Sequence, residues 1–368
     1  MDRLNLNLKY YIKKNKLIYL ITLKLIHLIK IILNLENRTS LLHRINKKII
    51  LLQEINKLKR GLFKEINIIY DCNISPFTLG DFFNVAMGAR YFQLKGYKVN
   101  FFLIKYDFDK VYLNRNKHRI NFFYSEFEKI LSSLLKKNFT YQKKNWEIFK
   151  KINLDKSFTL FNDRVLKRKY TYGFYFNLIN LLFKDEKKLF INKYLLNKKN
   201  LKKLYRTKLP KKNFITLHCR FNRLQIHKKN SRNLKKNEFL KIVKLLKRKF
   251  KTYELVVISD KVGCKYFAQI SKDHKLDVSY SKDYTKSFIE DGALILNSKY
   301  YFQIWGGGMC VFTYYSKLPF LRCTTTLHNE LSVKKNQLAL WHTEKNFLIE
   351  NDNRDYKEFI KKLNYIVV

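Results

Sequence analysis

The sequence predicts an α/β protein in which a basic, amphipathic helical segment precedes two Rossmann-like domains. Three observations predict this. Short apolar runs such as Ile66–Tyr70 and Phe214–Cys219 have the composition of parallel strands buried on both faces. Helical stretches alternate with them, and glycine-bearing turns join one to the next, as in βαβ units. The 368 residues, 46% hydrophobic and 16% aromatic, suffice for two packed domains and exclude a disordered chain. We place the helical segment at 1–65, the first Rossmann-like domain at 66–207 and the second at 208–368.

Within 1–65, Leu17–Leu33 is the most apolar stretch, yet as a helix it spans only roughly 25 Å, less than a bilayer core. Lys24, His27 and Lys30 form one polar stripe along it. Two readings stay open: a helix lying in a membrane interface, or one packed on the body of the protein. Leu41–Leu62 continues with helical period. No small-residue cleavage site follows the apolar run, so a cleavable signal peptide is not expected.

The formal charge of +47 is spread evenly along the chain and travels with Asn, Ile, Tyr and Phe, the residues of AT-rich codons. A coding bias explains that evenness better than a binding patch, so nucleic acid is not the expected partner. An anionic membrane surface or an anionic substrate suits the charge as well. The five cysteines form no CxxC or Cys/His cluster with metal-ligand spacing. We therefore expect reduced thiols and a cytoplasmic protein, peripheral on the inner face of the cytoplasmic membrane if the first segment binds there.

The first domain opens with the strand Ile66–Tyr70. A loop carrying Pro76 leads to Gly80-Asp81, which opens a helix through about Lys95; Gly96 caps it, and Val99–Ile104 is the next strand. Asp81 stands at or near that helix N-terminus, where an N-cap aspartate is the ordinary reading. Phe122–Lys136 and Leu178–Lys203 read as further helices. The boundary falls near Thr207–Lys212.

The second domain begins with the strand Phe214–Cys219, which runs into Arg220. His218, Arg220, Arg223 and Arg232 share one strand end and loop. A helix at Lys235–Phe250, a strand at Glu254–Ile258, a short strand at Asp277–Tyr280 and a helix at Lys286–Leu296 follow. Ser259-Asp260 lies just past the second strand, and Glu290 sits in the last helix. The strand Tyr300–Trp305 meets Gly306, Gly307 and Gly308, with a helix over Met309–Ser316 and a strand over Pro319–Cys323. Glycines there leave N–H groups open to an anion, and a helix dipole adds about half a positive charge. A tight, crowded turn is the competing reading. The last helix, Arg354–Leu363, is expected to cross back to the first domain.

Ligands of open α/β sheets bind outside the carboxyl ends of the strands. Arg220, Ser259-Asp260 and Gly306–Gly308 occupy three such ends, and an arginine fork facing a glycine turn makes a diphosphate site. Asp260 or Glu290 is placed to accept from ribose hydroxyls. Arg232 joins the diphosphate site or is a solvated loop arginine, and His218 is a site residue or a satisfied strand histidine.

Over roughly 66–323 the chain resembles the GT-B glycosyltransferases. His218-Cys219-Arg220 resembles the HxR strand of the fucosyltransferase-like members, whose arginine binds the donor diphosphate. Ser259-Asp260 resembles their Ser/Thr-Asp pair, and Trp305–Leu321 their last glycine turn. Gly80-Asp81 is similar to the heptosyltransferase Gly-Asp, whose aspartate is the catalytic base. Phe221-Asn222-Arg223 stands where Gly-Asp usually follows HxR, and Trp-Gly-Gly-Gly replaces the heptosyltransferase Asp-Thr-Gly turn.

The resemblance implies two domains facing across a cleft and transfer of a sugar from a nucleotide diphosphate-sugar to a glycan or glycolipid, in cell-surface polysaccharide or lipopolysaccharide synthesis. Asp81 is then the general base. The co-substrate is the nucleotide-sugar, with no other cofactor and no metal. Two alternatives stand beside it: a basic nucleic-acid-binding protein without catalysis, and a metal-dependent transferase using Asp107-Phe108-Asp109, which resembles a DxD motif.

Overall fold

The computed structural model of the chain describes residues 56, 65–72, 78–104, 117–136, 139–144, 157–161, 188–196, 208–221, 233–304, 308–324, 347–350 and 357–366. The expected amphipathic segment and the Asp107/Asp109 pair lie outside the described residues. Residues 62–368 form one compact unit, built on two wholly parallel sheets.

The first sheet comprises β1 (Glu65–Asp71), β2 (Lys98–Ile104), β3 (Phe139–Lys144) and β4 (Ser157–Phe161), in the order β3-β2-β1-β4. β1 is an inner strand, and Ile66, Ile68, Ile69 and Tyr70 are all buried, with Asn67 buried among them. Between β1 and β2 runs α1 (Leu79–Leu94), buried on every side from Phe82 to Phe92. Apolar residues fall on every side of DFFNVAMGARYF, which suits a helix enclosed by other elements and not one at a surface. Gly96, at φ 91°, takes the left-handed turn that ends it.

The polar groups inside α1 are used as fasteners. Arg90, 8% exposed, donates from Nε to the Tyr194 carbonyl at 3.1 Å, from Nη1 to Leu134 at 2.8 Å and from Nη2 to Lys193 at 2.8 Å. It thereby satisfies the last carbonyls of α2 (Lys117–Leu134) and α3 (Lys188–Tyr194), groups that helices leave orphaned. Of the helix expected over 178–203, only Lys188–Tyr194 is described as helix.

The second sheet contains β5 (Phe214–Cys219), β6 (Glu254–Ile258), β7 (Ser279–Tyr280), β8 (Tyr301–Ile304), β9 (Phe320–Thr324) and β10 (Phe347–Glu350). Its order is β10-β9-β8-β5-β6-β7. Numbered within the sheet this is 6-5-4-1-2-3, the Rossmann order. The helices are α4 (Lys236–Lys249), α5 (Lys261–Asp273), α6 (Phe288–Asn297), α7 (Val311–Tyr314) and α8 (Lys357–Tyr365). The final helix does not cross to the first sheet as expected. Phe359 and Leu363 of α8 belong to the apolar cluster of the second sheet, with the Phe359 ring 6.4 Å from that of Phe302.

Buried contacts join the two sheets' elements. Glu126 of α2, wholly buried, accepts the Phe288 N–H at the start of α6 at 2.7 Å. The Tyr315 hydroxyl donates to Asn84 Oδ1 at 2.8 Å, and the Tyr315 carbonyl accepts the Leu196 N–H at 2.7 Å. Phe83 and Phe288 pack on Phe312, with ring centroids 4.6 and 5.1 Å apart.

Candidate functional site

In the Rossmann order the chain reverses direction across the sheet between its first and fourth strands, here β5 and β8, and ligands bind outside the carboxyl ends at that point. Arg220 is the residue after β5, and the glycine turn follows β8. The two motifs chosen from sequence therefore flank the switch point. Arg220 is half-buried, and its carbonyl accepts the Leu234 N–H at 3.1 Å, which fixes the strand end. Arg223, Arg232, Gly306 and Gly307 lie outside the described residues.

Beside the switch point, Ser259 and Asp260 follow β6. Ser259 is buried against the first turn of α5, so close that a Cβ on Gly263 would stand 2.0 Å from its Oγ. Asp260 is the N-cap of α5 and accepts the Gly263 N–H at 2.7 Å. Glu290 also holds a helix start, accepting the Lys286 N–H at 2.5 Å. Each of these carboxylates has a structural duty at the same edge of the sheet.

The expected helix after the glycines is corrected. Gly308–Cys310 is a 3₁₀ turn and α7 has four residues, so no aligned dipole of useful length forms. Hydroxyls end it early: Thr313 Oγ1 donates to the Cys310 carbonyl at 2.7 Å and Ser316 Oγ to Thr313 at 3.4 Å. For Gly308 the crowded-turn reading also holds. A Cβ on Gly80 would lie 3.0 Å from Gly308 Cα, and one on Gly308 would lie 3.3 Å from the Gly80 nitrogen. Bare backbone presses on bare backbone.

That contact has a second consequence. It seats the first turn of α1, with Asp81, directly against the turn that follows β8. Asp81 is not the N-cap. Thr78 is, its Oγ1 accepting the Asp81 N–H at 3.2 Å, while the same hydroxyl donates to Asp81 Oδ2 at 2.6 Å. Asp81 is thus the third helical residue, half-buried, with its carboxylate oriented by Thr78.

His218 is 6% exposed, and its ring lies nearly parallel to that of Tyr301, 6.5 Å away. Burial, then the nearby Arg220 and Arg322 guanidiniums, pull its pKa down to about 3, so the imidazole is neutral. Arg322 of β9 was not among the sequence-chosen residues. Nothing in PFLRC singles this arginine out; strand register places it beside Gln303. Among the described residues no group of three or more His, Cys, Asp or Glu is placed to hold a metal. All five cysteines are buried and unbridged. No helix among the described residues is long and apolar enough to cross a membrane.

No protein-family model matches the chain, and no curated protein matches it. Among solved structures, the glycosyl transferase family 9 protein from Veillonella parvula DSM 2008 is similar, at 9% identity and TM-score 0.43, covering 83% of this chain and 91% of that one.

Proposed function

We propose that the protein is a GT-B glycosyltransferase that moves a sugar from a nucleotide diphosphate-sugar to a hydroxyl of a glycan or glycolipid, without a metal, in cell-surface polysaccharide or lipopolysaccharide synthesis. The observation that carries this reading is the position of Arg220 and the glycine turn on the two strands flanking the switch point. The seat of the α1 start against Gly308 supports it, because it brings a carboxylate to the same place.

In this reading the acceptor oxygen attacks the anomeric carbon while Asp81 takes its proton as general base. The bond from that carbon to the diphosphate oxygen breaks, and Arg220 with the backbone of the glycine turn meets the charge of the leaving diphosphate. Asp260 and Glu290, each fixed by a helix start, offer acceptors to the ribose. The basic segment 1–65 holds the enzyme to an anionic membrane surface, on the inner face of the cytoplasmic membrane.

The test is a thermal-shift screen with UDP, GDP, ADP and CDP. A ligand at a hundred times its dissociation constant adds about 2.7 kcal/mol. One of the four should raise the melting temperature of the wild type, and Arg220→Ala should lose that shift while still unfolding cooperatively. An Arg220→Ala variant with wild-type affinity would remove Arg220 from the site.

A further inference from the structure

The start of α1 and the segment that follows the glycine turn meet at three places, in the same order along both. A Cβ on Gly80 would lie 3.0 Å from Gly308 Cα, the Phe83 ring centroid lies 4.6 Å from that of Phe312, and the Tyr315 hydroxyl donates to Asn84 Oδ1 at 2.8 Å. Asn84 passes the last contact on, because its Nδ2 donates to the Gly80 carbonyl at 2.9 Å. That carbonyl belongs to the peptide joining Gly80 to Asp81. The N–H of the same peptide donates to Thr78 Oγ1 at 3.2 Å. Both ends of the peptide unit that carries Asp81 are therefore fixed, one by Thr78 and one by the relay from Tyr315 through Asn84.

The far end of the relay is fixed as well. The Tyr315 carbonyl accepts the Leu196 N–H at 2.7 Å, and the Tyr315 ring meets that of Tyr194 edge-on at 6.2 Å. A Cβ on Gly292 of α6 would stand 2.1 Å from Phe312, so Phe312 fills its place between the helices closely. Asn84 and Tyr315 are both 0% exposed. A leucine and a phenylalanine of similar shape would fill the same two places. Replacing both partners of a buried hydrogen bond by apolar groups is nearly neutral or stabilising, whereas removing one partner is costly. Stability alone gives no reason for this pair. Direction does, because a satisfied buried polar pair specifies one arrangement where apolar contacts accept several.

We infer that Tyr315 and Asn84 are positioning residues for Asp81, holding the Gly80–Asp81 peptide in one orientation so that the carboxylate keeps its place beside the turn after β8. The inference rests on the reading of Asp81 as general base and deepens it. Neither wholly buried side chain is placed to touch a substrate; both act through the main chain at Asp81. Burial holds the Tyr315 phenol well above its ordinary pKa, so the hydroxyl keeps the proton it donates.

The test compares the full-length wild type with Asn84→Leu, Tyr315→Phe and the double variant. Each single variant should lose stability in urea, and the double variant should return to about the wild-type midpoint. Amide exchange over residues 79–83 should nevertheless stay at least about tenfold faster in the double variant, with β1 and β5 unchanged. The rate is read as single-turnover hydrolysis of UDP-glucose, GDP-mannose, ADP-glucose and CDP-glucose, with water in the place of the acceptor. In the double variant the step should slow by about 10- to 100-fold at wild-type donor affinity, and should slow no further when Asp81→Asn is already present. An unchanged rate overturns the inference, and so does equal slowing in both Asp81 backgrounds, the mark of a merely structural role. Asp81→Asn turning over like the wild type overturns the base reading instead. If the wild type hydrolyses none of the four, exchange over 79–83 within about twofold of wild type overturns the inference. Should the double variant not fold, the nearly isosteric Tyr315→Phe is judged by the same exchange and rate.

Discussion

Gly80 and Gly308 offer a test whose size follows from the geometry. A methyl on Gly80 would meet Gly308 Cα at 3.0 Å and its carbonyl oxygen at 3.2 Å; one on Gly308 would meet Gly80 N at 3.3 Å and Cα at 3.4 Å. Both obstacles are backbone, so no side chain can swing aside. Overpacking of this kind costs about 1–3 kcal/mol. Gly80 is helical, and alanine there recovers at most about 1 kcal/mol of helix propensity. Gly80→Ala should therefore destabilise the protein by roughly 1–2 kcal/mol, and Gly308→Ala by about 1 kcal/mol, since its contacts are looser. The two methyls act on one shared gap. Once one has parted the backbones the second costs less, so the double variant should fall short of the sum by about 0.5 kcal/mol or more. Urea unfolding of the four proteins, with unchanged m values, measures the coupling. Strict additivity, or a Gly80→Ala protein more stable than the wild type, would show that the two turns are not pressed together and would detach Asp81 from the glycine turn.

Two further perturbations probe the scaffold around that contact. Arg90→Met strands two buried carbonyls and one part-buried carbonyl at the ends of α2 and α3, and should cost roughly 2–3 kcal/mol in urea unfolding; a loss under about 1 kcal/mol would mean water replaces the guanidinium. His218 titrates near 3 folded against an ordinary 6.5, because of its burial and then of Arg220 and Arg322. It is neutral in both states above pH 6.5, whereas below it the unfolded chain alone takes the proton. Stability should fall from pH 6.5 toward 3 by up to about 1.4 kcal/mol per pH unit from this group. His218→Asn should flatten that limb of the pH–stability curve, and an unaltered slope would place the acid sensitivity elsewhere.

Strands and helices enclosed on all sides were the legible part of the chain. β1, β5, β6 and β8 are mostly apolar and buried, and α1 carries apolar residues on every side, so their patterns stand out from the sequence. β3 and β4 were missed: they are the edges of the first sheet, and FTYQKK and SFTLF lack such a run. The helix after the glycines was overdrawn because Thr313 and Ser316 turn their hydroxyls back to the main chain, a competition that apolar periodicity does not register. Arg220 could be chosen from sequence, since it directly follows an apolar strand. Arg322 could not, because only strand pairing sets it in a row with His218 and Gln303. Asp81 was chosen for its place in the helix, but its orientation by Thr78 is visible only in three dimensions.

Asp81→Asn tests the central claim most directly. Asparagine keeps an oxygen to accept the Thr78 hydroxyl, so the first turn of α1 should survive, but it cannot take a proton. The measurement is single-turnover transfer from the nucleotide-sugar whose diphosphate stabilises the wild type, with binding and melting followed in parallel. The account predicts wild-type melting, wild-type donor affinity and a chemical step slower by about 10²- to 10⁴-fold. Turnover within about threefold of the wild type, in a variant that folds and binds donor normally, would contradict it, because general-base catalysis cannot lose its base at so small a cost.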